Sequence, residues 1–228
     1  MTKYLVKNKK ELQEIIKTNS KPLNSLDVSN ITDMSFLFSN ISNVTYFDID
    51  SWDTSNVTDM GSMFRNCSSL KEIPLLNTSS VSSMYRMFEG CSSLTTIPLL
   101  DTSSVSSMSS MFRNCSSLTT IPLLDTSNVT NMYCMFRNCS SLIIIPLLDT
   151  SNVTNISYMF NYCKSLTTIP FLDTSNVTNM GSTFSNCSSL PLVDKVLFLD
   201  KSNNDFKRQI YLQMSKEQLQ QIYDNLCV

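Results

Sequence analysis

The sequence predicts a repeat solenoid, because one 24-residue pattern recurs through most of its 228 residues. Apolar side chains occupy the same slots in each copy, and segments without the pattern precede and follow the copies. The copies begin at seven positions: Asp27, Asp53, Asn77, Asp101, Asp125, Asp149 and Asp173. Such periods are typical of solenoids, in which each coil buries its apolar face against its neighbours. We predict an N-terminal cap at 1–24, a seven-coil solenoid at 25–190 and a C-terminal cap at 191–228.

The N-terminal segment reads as a strand followed by a helix. Tyr4 to Val6 is a short apolar run typical of a strand, and Asn8 and Glu11 have the spacing of a capping box. Apolar residues at helical spacing follow, which predicts a helix over about 9–18: Leu12, Ile15 and Ile16.

Within each copy, the apolar spacing predicts a short helical or 3₁₀ segment and then a strand. Four residues fall at i, i+3, i+4 and i+7, one face of a helix: Met108, Met111, Phe112 and Cys115. Leu118–Leu123 has the L-x-x-L-x-L spacing of a leucine-rich-repeat strand, and Asp125 suits an Asx turn. Stacked copies would form a parallel β-sheet on one face, with the short helices on the other.

The C-terminal segment, like the N-terminal one, contains a predicted strand followed by a capping box and a helix. An apolar run at Val196–Leu199 precedes a strand-like alternation of Ile210, Leu212 and Met214. Ser215 and Gln218 have capping-box spacing and lead into a helix whose apolar face carries Leu219, Ile222, Tyr223 and Leu226. Both ends therefore read as caps that shield the open ends of the solenoid.

The repeat D-T-S-N-V-T-x-M-x-x-M-F-x-x-C-S-S-L resembles the BspA-like class of leucine-rich repeats, in the branch called surface-protein repeats of unknown function. The segments Trp52–Met60 and Met63–Cys67 carry the likeness most clearly, and it covers 27–190. The resemblance implies a right-handed solenoid and a binding or adhesion role at the cell surface. It supplies no catalytic residues.

Charge is distributed unevenly along the chain. Residues 1–21 carry six lysines against two glutamates, whereas 25–190 carry six basic and twelve acidic side chains. An acidic body argues against nucleic-acid binding. No run of 18 apolar residues predicts a membrane span, and the N-terminus lacks the apolar region of a signal peptide. The sequence alone therefore predicts a cytoplasmic location, although BspA-like proteins are often on the cell surface.

The repeated cysteines and the repeated aspartates are both interpreted as structural residues. Six cysteines share one slot at 24-residue intervals, and Ile41 occupies it in the first copy, so we expect buried thiols rather than a metal or redox site: Cys67, Cys91, Cys115, Cys139, Cys163 and Cys187. The aspartates that open the copies could bind Ca²⁺ between coils, but Asn77 in the same slot favours turn capping. We predict neither a metal nor a cofactor.

Two further features of the repeat concern the surface of the solenoid, one charged slot and the paired leucines. Arg65, Glu89 and Arg113 alternate in charge and predict cross-coil ion pairs on a solvated face. The Leu-Leu pairs, such as Leu123 and Leu124, form either a buried corner or a partner-facing apolar stripe, and the sequence leaves both open.

Function is predicted to be non-enzymatic. The chain has no histidine, the commonest general base, and no glycine-rich phosphate loop. We predict a scaffold for protein–protein interaction, and as the alternative a structural or self-associating unit. The predicted partner-facing positions are the exposed strand residues Lys71, Glu72, Thr95, Thr96, Thr119, Thr120, Ile143, Ile144, Thr167 and Thr168.

Overall fold

Hydrogen bonds between residues about 24 positions apart join successive segments of the chain into a stack of coils. The computed structural model describes residues 2–170, 172–199 and 214–226. Isolated parallel bridges link equivalent residues of neighbouring coils, and the chain of bridges runs through the whole repeat region: Asp33, Asp59, Ser83, Ser107, Asn131, Asn155 and Asn179. The predicted period of the solenoid is therefore confirmed.

The short helices predicted within the repeat are wrong, because consecutive tight turns occupy those positions in the described coils. In the central coil, Met111 N donates to Met108 O at 3.1 Å and Cys115 N to Phe112 O at 3.0 Å. Between them, Phe112 N donates to Met135 O of the next coil at 3.0 Å. Amides thus alternate between closing a turn and bonding the next coil. The apolar spacing of three and four residues is realised by turns that open toward a neighbour.

The predicted strand at Leu118–Leu123 also requires correction. This segment is not a strand, and the same holds for its equivalents in the described coils. Thr119 N donates to Thr95 O at 3.2 Å, and the next cross-coil bond there joins Ile143 N to Thr119 O at 3.1 Å. One bond per coil at this place does not make a ladder. The parallel pairing that exists lies in the turn segments instead.

The core consists of columns of identical residues. Phenylalanine rings stack along the whole solenoid with centroids 5.6–5.8 Å apart and planes within 11° of parallel: Phe38, Phe64, Phe88, Phe112, Phe136, Phe160 and Phe184. Valine, methionine, cysteine and leucine columns surround them and are almost fully buried. Each coil therefore buries its apolar face only against the coils on either side.

Left-handed backbone recurs twice per coil beside this core. The slot before the cysteine has positive φ and holds asparagine, a residue that tolerates that region, in five of the seven coils. Gly90 takes the slot in the third coil with φ of 77°, and a Cβ there would lie 2.4 Å from Asn66 Oδ1. Glycine adopts this positive φ without strain and avoids a close contact with the Asn66 side chain.

The N-terminal elements match their sequence prediction closely. Strand β1 (Tyr4–Leu5) pairs in parallel with β2 (Leu26–Asp27), and helix α1 (Lys9–Thr18) lies between them in the chain, with a 3₁₀ turn at Leu23–Ser25. Asn8 caps α1 by accepting from Glu11 N at 3.0 Å. Leu12 and Ile15 are buried in the solenoid core.

Two helices follow the last coil. Helix α2 (Leu192–Leu199) begins directly after Pro191, and α3 (Lys216–Leu226) packs against it. Ser215 and Gln218 form the predicted capping box, with Ser215 N donating to Gln218 Oε1 at 2.8 Å. The predicted alternation from Ile210 to Met214 lies mostly outside the described residues. Within the described helices, none is long and apolar enough to cross a membrane.

Candidate binding surface

The Leu-Leu pairs separate into one buried and one exposed member. Leu124 and its equivalents are at most 5 % exposed, whereas the preceding leucines are 62–69 % exposed and form one column on the surface. The column consists of Leu75, Leu99, Leu123 and Leu147. The structure thus decides between the two interpretations of these pairs: the first leucine faces solvent and the second closes the core.

A groove of about 1010 Å³ runs along this column. Its walls are the exposed leucines and the turns that open each repeat, and buried leucines such as Leu124 contribute to its lining. We call it the leucine–aspartate groove and define it by Leu99, Leu123, Leu147, Asp101, Asp125, Asp149 and Asp173. None of its lining residues is a lysine or an arginine.

The aspartates of the groove are held by turn capping, as predicted. Asp125 Oδ1 accepts from Ser127 N at 3.0 Å and from Ser127 Oγ at 2.7 Å, and the equivalent bonds recur in the neighbouring coils. The serine hydroxyl and then the backbone amide lower the pKa of Asp101, Asp125 and Asp149 from the usual value. The groove wall therefore carries fixed negative charge at neutral pH.

Buried threonines hold the aspartate turns in place through hydrogen bonds to the backbone of the next coil. Thr126 is 1 % exposed and its hydroxyl donates to Asp149 O in the next coil at 2.8 Å. Thr102 makes the same bond to Asp125 O at 2.7 Å. Asp125, Asp149 and Asp173 are thus each positioned by a threonine from the preceding coil, so these carboxylates keep the spacing of the coils.

All ten sequence-predicted partner-facing residues lie on the surface, in two columns beside the leucine column. Ile143 and Ile144 are 49 % and 48 % exposed and interrupt a series of threonines. Thr119 and Thr120 precede Leu123 in the same coil, so these columns and the groove form one continuous surface. Their engagement with a partner stays a prediction.

The described cysteines are buried and unpaired, in agreement with the structural interpretation of the cysteine column. Each thiol of the column bonds a phenylalanine carbonyl of the preceding coil, with Sγ···O distances of 2.9–3.1 Å. Burial raises the pKa of Cys67 to about 12 and that of Cys187 to about 11. These thiols are protonated at neutral pH and unsuited to nucleophilic or ligand chemistry.

The charged slot near the phenylalanine column differs from the predicted solvated ion pairs. Glu89 is buried, with 7 % of its side chain exposed, and three arginines surround it. Its carboxylate lies 3.0 Å from Arg65 Nε and 3.5 Å from both Arg86 Nε and Arg113 Nη1. Sequence reasoning missed Arg86, which faces Glu89 from three residues earlier in the same coil.

Exposed tyrosines adjoin these arginines. The guanidinium of Arg86 lies 4.7 Å from the ring centroid of Tyr85, and that of Arg137 lies 5.4 Å from Tyr158. Tyr133 contacts Tyr158 edge-on at 6.1 Å. We call this surface the arginine–tyrosine face, which comprises Arg65, Arg86, Arg113, Arg137, Tyr85, Tyr133 and Tyr158.

Among the described residues, no group of three or more cysteine, aspartate or glutamate side chains could hold a metal ion. The arrangement can present charge and apolar area to a partner.

This chain is similar to several solved structures of leucine-rich-repeat proteins. A leucine-rich-repeat protein of T. pallidum aligns with a TM-score of 0.54 and 21% identity, covering 82% of this chain and 78% of its own. One from Eubacterium ventriosum aligns with a TM-score of 0.52 and 23% identity, covering 71% of this chain. This chain spans only 42% of the length of the E. ventriosum protein. The likeness shows a leucine-rich-repeat solenoid fold.

A family model described as "Mycoplasma protein of unknown function, DUF285" matches residues 6–120, 71–168, 95–191 and 143–208. These matches overlap and together cover most of the chain, as expected where one repeat unit recurs. No curated protein matches the sequence.

Proposed function

We propose that this chain, which belongs to the DUF285 family of Mycoplasma proteins of unknown function, is a non-enzymatic scaffold that binds a protein partner. The partner would dock on the leucine–aspartate groove and on the ten exposed residues beside it. The repeat-scaffold part follows from the leucine-rich-repeat fold, and the binding part rests on the surface.

The observation that carries the proposal is the leucine column. Four leucines of the solenoid are 62–69 % exposed, and they follow one another coil after coil. Contiguous apolar surface of this kind is typical of partner sites. Covering each leucine would contribute about 1 kcal/mol, so the column supplies a few kcal/mol before any polar contact.

Two features support a binding role over a catalytic one. The chain contains no histidine, and the thiols of its described cysteines are buried and bonded to backbone carbonyls. The leucine–aspartate groove and the columns beside it consist mainly of leucine, aspartate, threonine and isoleucine. These residue types suit the binding of a partner better than catalysis.

The proposal also includes a BspA-like assignment, a role in adhesion and a capping role for the terminal elements. The BspA-like assignment and a role in adhesion come from the repeat pattern. The capping role of the terminal elements is supported by α1, whose Leu12 and Ile15 join the core at the first coil. The second candidate function is self-association, which the opposite charges of two surfaces favour.

The test is capture of a partner by cross-linking in the native cell, followed by mass spectrometry, with matched variants of the full chain. Leu123→Asp with Leu147→Asp should abolish capture, because charges would enter the apolar wall of the groove. Ile143→Asp should weaken it if the adjacent columns also engage. Lys17→Glu, on the exposed side of α1, is the control and should capture normally. Equal recovery with all variants would remove this surface from consideration.

A further inference from the structure

The arginine–tyrosine face carries more positive charge than it neutralises. Three of its four arginines share one carboxylate, that of Glu89, and the set of four arginines and one glutamate keeps three positive charges. The Nε atoms of Arg86, Arg113 and Arg137 are buried and donate no hydrogen bond to any described residue. Arginine and tyrosine are also the residue types enriched at the energetic centres of protein interfaces. The face is therefore suited to an anionic protein surface.

The matching negative charge lies on the same molecule. The groove wall carries Asp101, Asp125, Asp149 and Asp173 without a cation among its lining residues. Asp101 and Arg113 are 12 residues apart in a 24-residue coil, which is half of its contour. The two surfaces therefore belong to different halves of every coil, and one molecule cannot bring its own face into its own groove.

Spacing adds a second kind of complementarity. Arg113 and Arg137 are separated by one coil, as are Asp125 and Asp149. The stacked phenylalanine rings show that this step is uniform along the solenoid, at 5.6–5.8 Å between centroids. Arginine occupies this slot in adjacent coils at Arg113 and Arg137, with Glu89 before them and Asn161 after them, so a second copy with its coils aligned can repeat the contact over these two coils. An unrelated partner would have to reproduce the step.

We propose that the arginine–tyrosine face of one copy docks into the leucine–aspartate groove of a second copy. The guanidinium groups face the carboxylates, and the tyrosine rings cover the exposed leucines. This inference rests on the proposed function, because it names a partner for the same groove. Since each copy keeps a free face and a free groove, the contact is heterologous, and association continues side by side instead of closing as a dimer.

A single-stranded nucleic acid fits the face less well. Base stacking needs free aromatic ring faces. Arg86 already lies over Tyr85 and Arg137 over Tyr158, and Tyr133 packs edge-on against Tyr158. The solenoid body is also acidic as a whole, which repels a phosphate chain at long range.

The experiment is light scattering of the full reduced chain over a range of protein and salt concentrations. The wild type should associate, and its mean mass should fall as salt rises from about 0.05 to about 0.5 M, because exposed ion pairs are screened. A groove variant, Leu123→Lys with Leu147→Lys, should be monomeric. A face variant, Arg137→Glu with Tyr133→Ser, should be monomeric as well.

Mixing the two variants provides the decisive result. The intact face of the groove variant can enter the intact groove of the face variant, and each remaining surface is blocked. The mixture should therefore form a one-to-one heterodimer that does not grow further. The controls are Lys17→Glu and Glu14→Lys, which match the charge changes of Arg137→Glu and of the groove variant on exposed positions of α1. Both should associate like the wild type.

A wild type that stays monomeric at about 1 mM, near the effective concentration of linked modules, would overturn the inference. So would association of the face variant, or a mixture of folded variants that stays monomeric. These outcomes leave the proposed function to the capture experiment. Loss of capture by Leu123→Asp with Leu147→Asp, beside a monomeric wild type, would retain the groove as a binding site and reject the second copy as its occupant.

Discussion

The thiol of Cys115 donates to the carbonyl oxygen of Phe88 in the preceding coil, with Sγ and O 3.0 Å apart. That oxygen also accepts from Cys91 N at 3.1 Å, so the thiol takes its second lone pair. The bond requires a coil on the N-terminal side. In the first coil Ile41 occupies the slot, where no earlier coil offers such a carbonyl. The cysteine column thus acts as a tie between coils.

Thiol reactivity should report unfolding. Because burial keeps the column thiols protonated and inaccessible, an alkylating reagent at pH 8 should leave them unmodified in the native state. Peptide mass spectrometry after a timed pulse, with and without denaturant, would measure the modification of each cysteine. Cys115 and Cys139 should label only together with global unfolding. Rapid native labelling of Cys115 would contradict a tightly packed column.

Stability should fall in alkaline solution. Burial raises the pKa of the column thiols above their usual value of 9.0, to about 12 at Cys67 and about 11 at Cys187. The unfolded chain therefore loses thiol protons before the folded one does. The stabilising contribution is complete below about pH 9 and is lost as pH rises through the folded values. Each such thiol can contribute a slope of up to about 1.4 kcal/mol per pH unit.

The measurement is urea unfolding at a series of pH values between 8 and about 11, in reducing buffer. Cys115→Ala should start from a lower free energy of unfolding and then decline less steeply than the wild type, by about one proton. An identical slope in the variant would mean that the decline has another origin, such as the tyrosines.

Core leucines should differ according to their place in the stack. Leu118 is fully buried with coils on both sides, so Leu118→Ala should cost about 2–5 kcal/mol. Leu190, 3 % exposed and next to α2, has a coil on one side only, so the same change there should cost less. Leu123→Ala on the exposed column is the control and should cost little. Denaturant titration decides, and equal losses at Leu118 and Leu190 would count against independent stacking of coils.

The sequence was sufficient to predict whatever depends on burial and on turn chemistry. The period, the core columns, the capping of α1 and α3, the aspartate turns and the buried thiols all follow from residue type at a fixed spacing. Val129 and Phe136 stand in slots that are apolar in all seven copies, and both are fully buried. Such side chains can be buried only against the neighbouring coils.

Backbone conformation within the coil could not be predicted in the same way. Methionine and phenylalanine at spacings of three and four fit a helix as well as a run of turns. The choice depends on where the Phe112 amide finds its acceptor, and that acceptor is Met135 O, 23 residues later. Positive φ at Ser110 and Asn114, without glycine, gives no local warning of the turns.

The candidate surfaces were likewise predicted from the sequence only in part. The sequence identified Thr119 and its equivalents as exposed, because hydroxyl residues in an apolar repeat point outward. It left the Leu123 and Leu124 alternatives open, since both are leucine and only the bend of the chain separates them. It also missed the environment of Glu89, because Arg86 meets it through turn geometry that was predicted as helix.

Glu89 should be worth more than an exposed carboxylate, because its side chain is buried among three arginines. Glu89→Gln keeps the shape of the side chain but leaves three guanidinium groups without their shared counter-charge. We expect a loss of about 1–3 kcal/mol in the free energy of unfolding, less than for a fully buried ion pair because the arginines are about one-third exposed. The loss should shrink as salt screens the repulsion among the arginines. Glu72→Gln, at an exposed position, is the matched control and should change stability little. A double-mutant cycle with Arg113→Gln isolates the pair: a coupling energy near zero, together with equal effects of the two glutamate variants, would show that Glu89 only fills space.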